Sequence, residues 1–307
     1  MKQIIVFGSI NLDLVTQTPR LPIAGETLSG YKFFTAPGGK GANQAVAAAR
    51  LGVPTQMIGR LGDDDFGHQL LSSLQATGVS TAGIVFDQTT SSGVAVITVD
   101  ERGENSIIIV AGANERLDES DVERLRSLLP ETSFLLMQLE IPLPIVLSAA
   151  QAARLSGVPV ILDPAPAQDL PSQLYPLLDI ITPNQLEASQ LVGFSVNNQE
   201  TAAKAAEVLR ERGVSTAIIK LGSQGVYCAT ATETLFVPAF SVQAVDSVAA
   251  GDAFNAALAV ALAQGLPLRK ALIWGNAAGA ISTTKEGAQP SLPDRKTLDA
   301  FLQERSS

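Results

Sequence analysis

Phe134-Leu-Leu-Met-Gln-Leu-Glu-Ile-Pro-Leu-Pro-Ile-Val-Leu-Ser-Ala-Ala-Gln-Ala-Ala-Arg-Leu-Ser-Gly-Val-Pro-Val-Ile-Leu162 reads as strand, helix, strand. Residues 134–138 and 158–162 are short apolar runs of strand length, with room for a helix between them. Strands joined by so long a crossover lie parallel, because a hairpin turn is too short to return the chain to the same end of a sheet. Outward from there, residues 180–182 and 217–221 repeat the strand signal, with helices between, including 201–212 ahead of Gly213. Short strands at 226–229 and 234–237 precede alanine-rich helices at 250–263 and 269–283. This alternation predicts an α/β fold: a central, mostly parallel sheet flanked by helices in three Rossmann-type layers.

Toward the N-terminus, residues 4–10 form a buried first strand ending in Gly8-Ser9. Residues 41–51 are alanine-rich and helical, and stop at Gly52. A strand at 56–60 and a helix at 66–76, closed by Gly78, follow. Two stretches differ in character. Residues 12–35 alternate around Pro19, Pro22 and Gly25, and 93–99 and 105–110 flank the turn Asp100-Glu-Arg-Gly103 as a β-hairpin. Drawn from about 12–35 and 83–110, these strands form either a small β-sheet lid over a substrate or extra edges on the main sheet. No repeat or low-complexity linker interrupts the chain, so 1–307 is expected to be one α/β domain with this insertion.

Hydrophobic residues make up 46% and charged residues 17% of the 307, the composition of a globular chain with a sizeable core. The net charge of −9 argues against nucleic-acid or anionic-membrane partners. It leaves a nucleotide open, since a phosphate pocket needs only local N–H groups and one or two cations. The single cysteine, Cys228, excludes an internal disulfide and reads as a small buried hydrophobe. The single histidine, His68, has no second ligand for a zinc site and reads as a surface residue. The N-terminal residues are a strand rather than a signal peptide, and no apolar run reaches spanning length, so a cytoplasmic protein is expected.

Chemistry concentrates in five places. In Asp246-Ser-Val-Ala-Ala-Gly-Asp-Ala-Phe-Asn255, small residues at Ala249, Ala250 and Gly251 lead into a helix whose free N–H groups and dipole form an anion hole. Asp252 in the first turn either accepts a proton from an attacking hydroxyl or simply stabilises the helix dipole. In Ala36-Pro-Gly-Gly-Lys-Gly-Ala-Asn-Gln44, adjacent glycines allow close approach to a ligand, Lys40 adds a cation and Asn43 suits sugar hydroxyls. It is neither a Walker A loop nor a dinucleotide fingerprint. Asn11 and Asp13 share one face of a strand and suit a polyol, or form a turn. Asn184 and Glu187 share a helical face and either orient hydrated magnesium or make a capping box. Lys220-Leu-Gly-Ser-Gln-Gly225 is a phosphate or ribose loop, or a plain hairpin turn.

These motifs, in this order, resemble the ribokinase-like (PfkB) carbohydrate kinase family along nearly the whole chain. Gly38–Gln44 is similar to its N-terminal glycine signature and Asp246–Asn255 to its C-terminal one. Gly103-Glu-Asn, Gly112-Ala-Asn114, Gln138-Leu-Glu140, Asp163-Pro-Ala-Pro166 and Gly287-Ala-Gln-Pro-Ser291 place it near the members that act on ribose. The resemblance implies an ATP-dependent phosphotransferase acting on a sugar hydroxyl, O5 of ribose before others. Asn11, Asp13, Gly39, Lys40, Asn43, Glu140 and Asp252 would hold the sugar, with Asp252 as base. N–H groups of Ala249, Ala250 and Gly251 would stabilise the transferring phosphoryl group. Asn184, Lys220, Gly222, Ser223, Gly225, Gly251 and Asn276 would contact ATP, and Glu187 would place Mg2+ through water. A monovalent cation, K+, would sit at Asp246, Val248, Ser282, Lys285, Gly287 and Ser291. A homodimer pairing through lid strands is also implied. Ser247 stands where the family usually has Thr, Val248 where it has Thr or Ile, and Thr283–Gly287 departs from its basic run. Two other readings stay open: a kinase for another pentose, a ketohexose or a nucleoside, and a sugar- or nucleotide-binding regulator without catalysis. An aromatic content of 5% speaks against a nucleoside site, and the presence of Asp252 with Gly251 speaks against the regulator.

Overall fold

A computed structural model describes residues 2–305. The chain begins β1 (Gln3–Phe7), β2 (Asn11–Gln17), β3 (Lys32–Gly38), α1 (Lys40–Arg50), β4 (Thr55–Gly62), α2 (Asp65–Ala76) and β5 (Ser80–Asp87). Then come β6 (Gly93–Val99), β7 (Asn105–Val110), α3 (Glu119–Leu128), β8 (Thr132–Met137), α4 (Leu143–Leu155) and β9 (Val160–Leu162). β10 (Ile180–Ile181), α5 (Gln185–Val192), α6 (Gln199–Glu211), β11 (Thr216–Lys220), β12 (Gly225–Ala229) and β13 (Thr234–Pro238) follow. The chain ends in α7 (Ala250–Ala263), α8 (Leu268–Ser282), α9 (Ala288–Ser291) and α10 (Arg295–Arg305).

Nine strands form one sheet in the order β13-β12-β11-β10-β9-β8-β1-β4-β5. Its pairs are parallel except β11 with β12 and β12 with β13, which are antiparallel. The strand period of two sorts side chains onto two faces. Ile4 and Val6 of β1 pack into one core with α1, α7 and α8, while Ile5 and Phe7 pack into the other with α3, α4 and α6. Both faces are thus buried, which is why the central strands read as continuous apolar runs. Each such side chain contributes about 1.5–3 kcal/mol by leaving water.

β1 lies between β4 and β8, so the chain order reverses there. Such a switch point opens a crevice at the carboxyl ends of the strands. Ser9 follows β1, Gln138 and Glu140 follow β8, Asp163 follows β9, Asn184 follows β10, and Lys220 ends β11. The fold therefore delivers most of the polar residues of interest to one edge.

Four strands form a second sheet in the order β3-β2-β6-β7, so the lid alternative holds over extra edge strands. β2 pairs antiparallel with β3 and parallel with β6, and β6 pairs antiparallel with β7. The expected lid stretch 83–110 is narrowed: residues 83–87 belong to β5, parallel to β4 at the edge of the large sheet, because α2 returns the chain there. The expected first strand, 4–10, ends at Phe7, and residues 8–10 carry the chain from the large sheet into the lid. Among the described residues no helix is long and apolar enough to cross a membrane. Cys228 is buried and unpaired, its thiol pushed up to about 12 by burial and then by Glu233. His68 is exposed, with Nε2 3.1 Å from Asp63.

Candidate active site

The lid meets the body where α1 starts against the β1–β2 crossing. Gly39, just ahead of α1, has φ 86°, and a Cβ there would lie 2.7 Å from the Asn11 nitrogen, so only glycine fits. This close approach brings Lys40 to Glu140: the Lys40 N–H donates to Glu140 Oε2 at 3.1 Å, and Ser9 Oγ donates to the same oxygen at 2.6 Å. Asn11 is held by Asn114, whose Nδ2 donates to Asn11 Oδ1 at 2.7 Å. Asp13 lies against Gly38, where a Cβ would sit 2.5 Å from its carboxylate oxygens. Burial, and then the charge of Glu140, lift the Asp13 carboxyl to about 7. Asn11, Asp13, Lys40, Asn43 and Glu140 thus gather under the lid as a polar cage with donors and acceptors of both kinds.

Asp252 borders that cage. Its side chain is buried, and Asn43 Nδ2 donates to Oδ2 at 3.0 Å while Gln44 Nε2 donates to Oδ1 at 3.1 Å. Burial raises its carboxyl to about 6; Lys40 opposes the shift, Asp163 adds to it, and the two amides oppose it. Burial alone would lower the Lys40 ammonium, but Asp252, Asp163, Glu140 and Glu187 raise it on balance, so it stays charged. Asn43 Oδ1 is buried without a partner among the described residues, an acceptor open to a hydroxyl beside the carboxylate.

The first turn of α7 has no side-chain cap and starts from Ala249 in the left-handed region, φ 61° and ψ 7°. Ala249 is the one non-glycine residue with positive φ among the described residues. The Lys220 ammonium lies beside Gly251, 3.3 Å from where a Cβ would be, and donates to Asp163 Oδ1 at 2.9 Å. Ala250 N donates to Ser247 O at 3.3 Å; the other N–H groups of this turn, the helix dipole and a cation converge on one point, next to a buried carboxylate.

On the far side of Lys220, Asn184 and Glu187 form the capping box allowed by their spacing. Glu187 N donates to Asn184 Oδ1 at 2.9 Å and Asn184 N to Glu187 Oε2 at 2.7 Å. The box does not exclude the other reading, because the Glu187 carboxyl is buried at the crevice and is raised by burial and Asp163, against Lys220. Gly222 and Ser223 lie in a short 3-10 turn, Gly222–Gln224, and Gly225 opens β12 opposite Pro238. Asn276 of α8 spends its amide nitrogen on the carbonyls of Val237 and Pro238, both at 3.1 Å, leaving only its oxygen for a ligand.

The expected cation residues form a separate group beside the start of α7. Asp246 accepts from Gly287 N and from Val248 N, each at 2.9 Å, and Ser282 Oγ and Ser291 Oγ are 2.9 Å apart. Lys285 also lines an outer groove with Val242, Val245 and Phe301.

Sequence reading did not place Asp163, Gln44, Gln138, Ser9 or Asn114 at the site. Asp163 is the first polar residue beyond β9, the position where a parallel sheet delivers functional groups. Gln44 is one residue past Asn43. Its amide reaches Asp252, and also Asp163 Oδ2 at 3.2 Å.

Residues 1–295 match the model of the pfkB family of carbohydrate kinases. The chain is 43% identical over 302 residues to a ribokinase of Haemophilus influenzae, covering 98% of this chain and 99% of that one. The ribokinase of Thermotoga maritima superposes with a TM-score of 0.90 at 38% identity, over 99% of this chain and 100% of the other. The Arabidopsis thaliana ribokinase complexed with ribose and ATP superposes with a TM-score of 0.91 at 35% identity, over 98% of this chain and 99% of the other.

Proposed function

Because the chain belongs to the pfkB family of carbohydrate kinases, we propose that it transfers the γ-phosphoryl group of ATP to the 5-hydroxyl of D-ribose, with Asp252 as the base. One observation carries this reading: a buried carboxylate stands between a polar cage and an uncapped helix N-terminus flanked by a lysine. The sugar binds in the cage, held by Asn11, Asp13, Gly39, Lys40, Asn43 and Glu140. Its hydroxyl gives a proton to Asp252 and attacks in line. The N–H groups of Ala249, Ala250 and Gly251, with Lys220, stabilise the charge on the transferring group. Gly222, Ser223, Gly225, Gly251, Asn184 and Asn276 hold the nucleotide. The lid strands of 11–17, 32–38, 93–99 and 105–110 close over the sugar and exclude water, which otherwise hydrolyses ATP.

Two ions fit the residues present. Glu187 is a buried carboxylate at the phosphate end, suited to holding hydrated Mg2+, which keeps several waters and takes few protein ligands. When bound, Mg2+ neutralises phosphate charge. The oxygen-rich group of Asp246, Ser282 and Ser291, with backbone carbonyls at Val248, Lys285 and Gly287, suits K+. The lid sheet has two bare edges, β3 and β7, and exposes Phe33, Ile107, Ile108 and Ile109. A second copy covering them makes a homodimer; a monomer at micromolar concentration in sedimentation would count against it. A cytoplasmic location goes with this activity, since ATP is its substrate.

ATP consumption with a panel of sugars tests the acceptor. Ribose is expected to be phosphorylated far faster than 2-deoxyribose, fructose, tagatose or adenosine. A preference for any of these overturns ribose, and ATP turnover with none of them leaves the regulator reading.

A further inference from the structure

Behind Asp252 lies a chain of buried amides and carboxylates that the phosphoryl transfer as described does not use. Gln44 is 1% exposed and Gln138 is 0% exposed. Gln44 Nε2 donates to Asp252 Oδ1 at 3.1 Å and to Asp163 Oδ2 at 3.2 Å, and the other oxygen of Asp163 takes the Lys220 ammonium at 2.9 Å. Gln138 Nε2 donates to Gln44 Oε1 at 2.7 Å. Carboxylates only accept, so the Gln44 nitrogen must face them, and the Gln138 donor fixes that orientation from behind. Gly8 leaves room for it: a Cβ there would lie 2.1 Å from Gln138 Oε1.

We propose that Gln44 is a positioning residue for the transfer. Through one nitrogen it locks the carboxylates of Asp252 and Asp163 in fixed relation, coupling the base on the sugar side to Lys220 on the nucleotide side. The inference rests on Asp252 being the base. Two carboxylates this close repel, and an amide nitrogen with two hydrogens offers one to each without adding charge. With both lone-pair directions of Oδ1 and Oδ2 partly engaged by Gln44 and Asn43, the carboxylate cannot rotate away from the incoming hydroxyl. Lys40 and Asp163 face Asp252 directly, with Glu140, Glu187 and Lys220 behind them. None of these supplies the donor that Gln44 gives to Oδ1.

Gln44→Met keeps the shape and removes the amide. The test is kcat/KM for ribose at saturating MgATP, from about pH 5 to about pH 8.5, with a melting curve alongside. Loss of a donor to the charged form makes the carboxylate harder to ionise, and the base works only when ionised. The acid limb is therefore expected to move up by about one pH unit, a rate loss of about tenfold near pH 5 that shrinks to about twofold at pH 7 and disappears at high pH. Asp13 titrates on the sugar side in both enzymes, so the difference between them reports Asp252. Gln138→Met, which frees the Gln44 amide to turn, is expected to move the limb the same way by less. A role in packing alone would lower the rate evenly across pH. An unmoved limb in Gln44→Met overturns the proposal; should that variant not fold, an unmoved limb in Gln138→Met does so. Neither result touches the base itself. Full turnover in Asp252→Asn would instead sink the reading on which the proposal stands.

Discussion

Helices α5 and α7 both open toward the carboxyl edge of the large sheet, and their first turns are built in opposite ways. α5 is closed by its own side chains: Asn184 caps it and Glu187 reaches back to the cap. α7 has no side-chain cap, begins from a left-handed alanine, and carries Asp252 turned into the interior. A good cap is worth about 0.5–2 kcal/mol, so the bare turn forgoes stability that its neighbour has. It leaves N–H groups without a side-chain partner at a point where Lys220 also arrives. The closed turn presents a carboxylate and suits a cation; the open turn presents N–H groups and suits an anion. A phosphoryl group and its metal need both, side by side.

The largest expected effect comes from Asp252→Asn in the open turn. Turnover should fall by about a hundredfold to ten-thousandfold while ATP binding persists, as steady-state rates and nucleotide titration would show. Stability should move the other way. The folded Asp252 carboxyl is raised to about 6, above its unfolded value, so ionising it penalises the folded state. That penalty is absent below about pH 4, grows as pH rises to about 6 and is complete at neutral pH. The variant should thus gain on wild type in denaturant midpoint between those limits. A gain that does not depend on pH would deny the buried charge.

The same open turn marks how far the chain was legible beforehand. The parallel sheet was visible because its strands are buried on both faces and leave unbroken apolar runs such as 134–138. The start of α7 was visible because small residues and glycine lead into an alanine-rich helix. The lid boundary was misplaced at 83–87 because β5 is an edge strand with mixed burial, and so reads like the lid strands beside it. Asn184 and Glu187 stayed ambiguous because a capping box and a metal-facing carboxylate share one spacing. Gln44 and Asp163 were missed for a different reason. Their chemistry exists only in contacts with residues distant in the chain, their own hydrogen bond spanning a separation of 119 residues, and local pattern does not encode it.

The closed turn should break more gently. Glu187→Gln retains an acceptor for the Asn184 N–H but loses the charge offered to the nucleotide end. KM for MgATP is expected to rise about tenfold, equal to about 1.4 kcal/mol, with a smaller change in KM for ribose. A variant in which both constants rise alike would mean that Glu187 serves the cap alone and that the contrast between the two turns is one of stability only.

The smallest effect sharpens the comparison most narrowly. Ala249 holds a left-handed conformation that strains an alanine by about 1–2 kcal/mol. Glycine adopts it freely but adds about 0.4–1 kcal/mol of freedom to the unfolded chain. Ala249→Gly should therefore be stabilising by about 0.5–1 kcal/mol, a rise of about 1–3 °C in melting temperature. If the alanine is there to stiffen the turn, the same variant should lose turnover, because N–H groups that wander no longer meet the transferring charge in place. A stabilised variant with slower turnover is the expected pair of results. A destabilised one would mean that neighbouring contacts, not the needs of an anion, hold Ala249 in its unusual conformation.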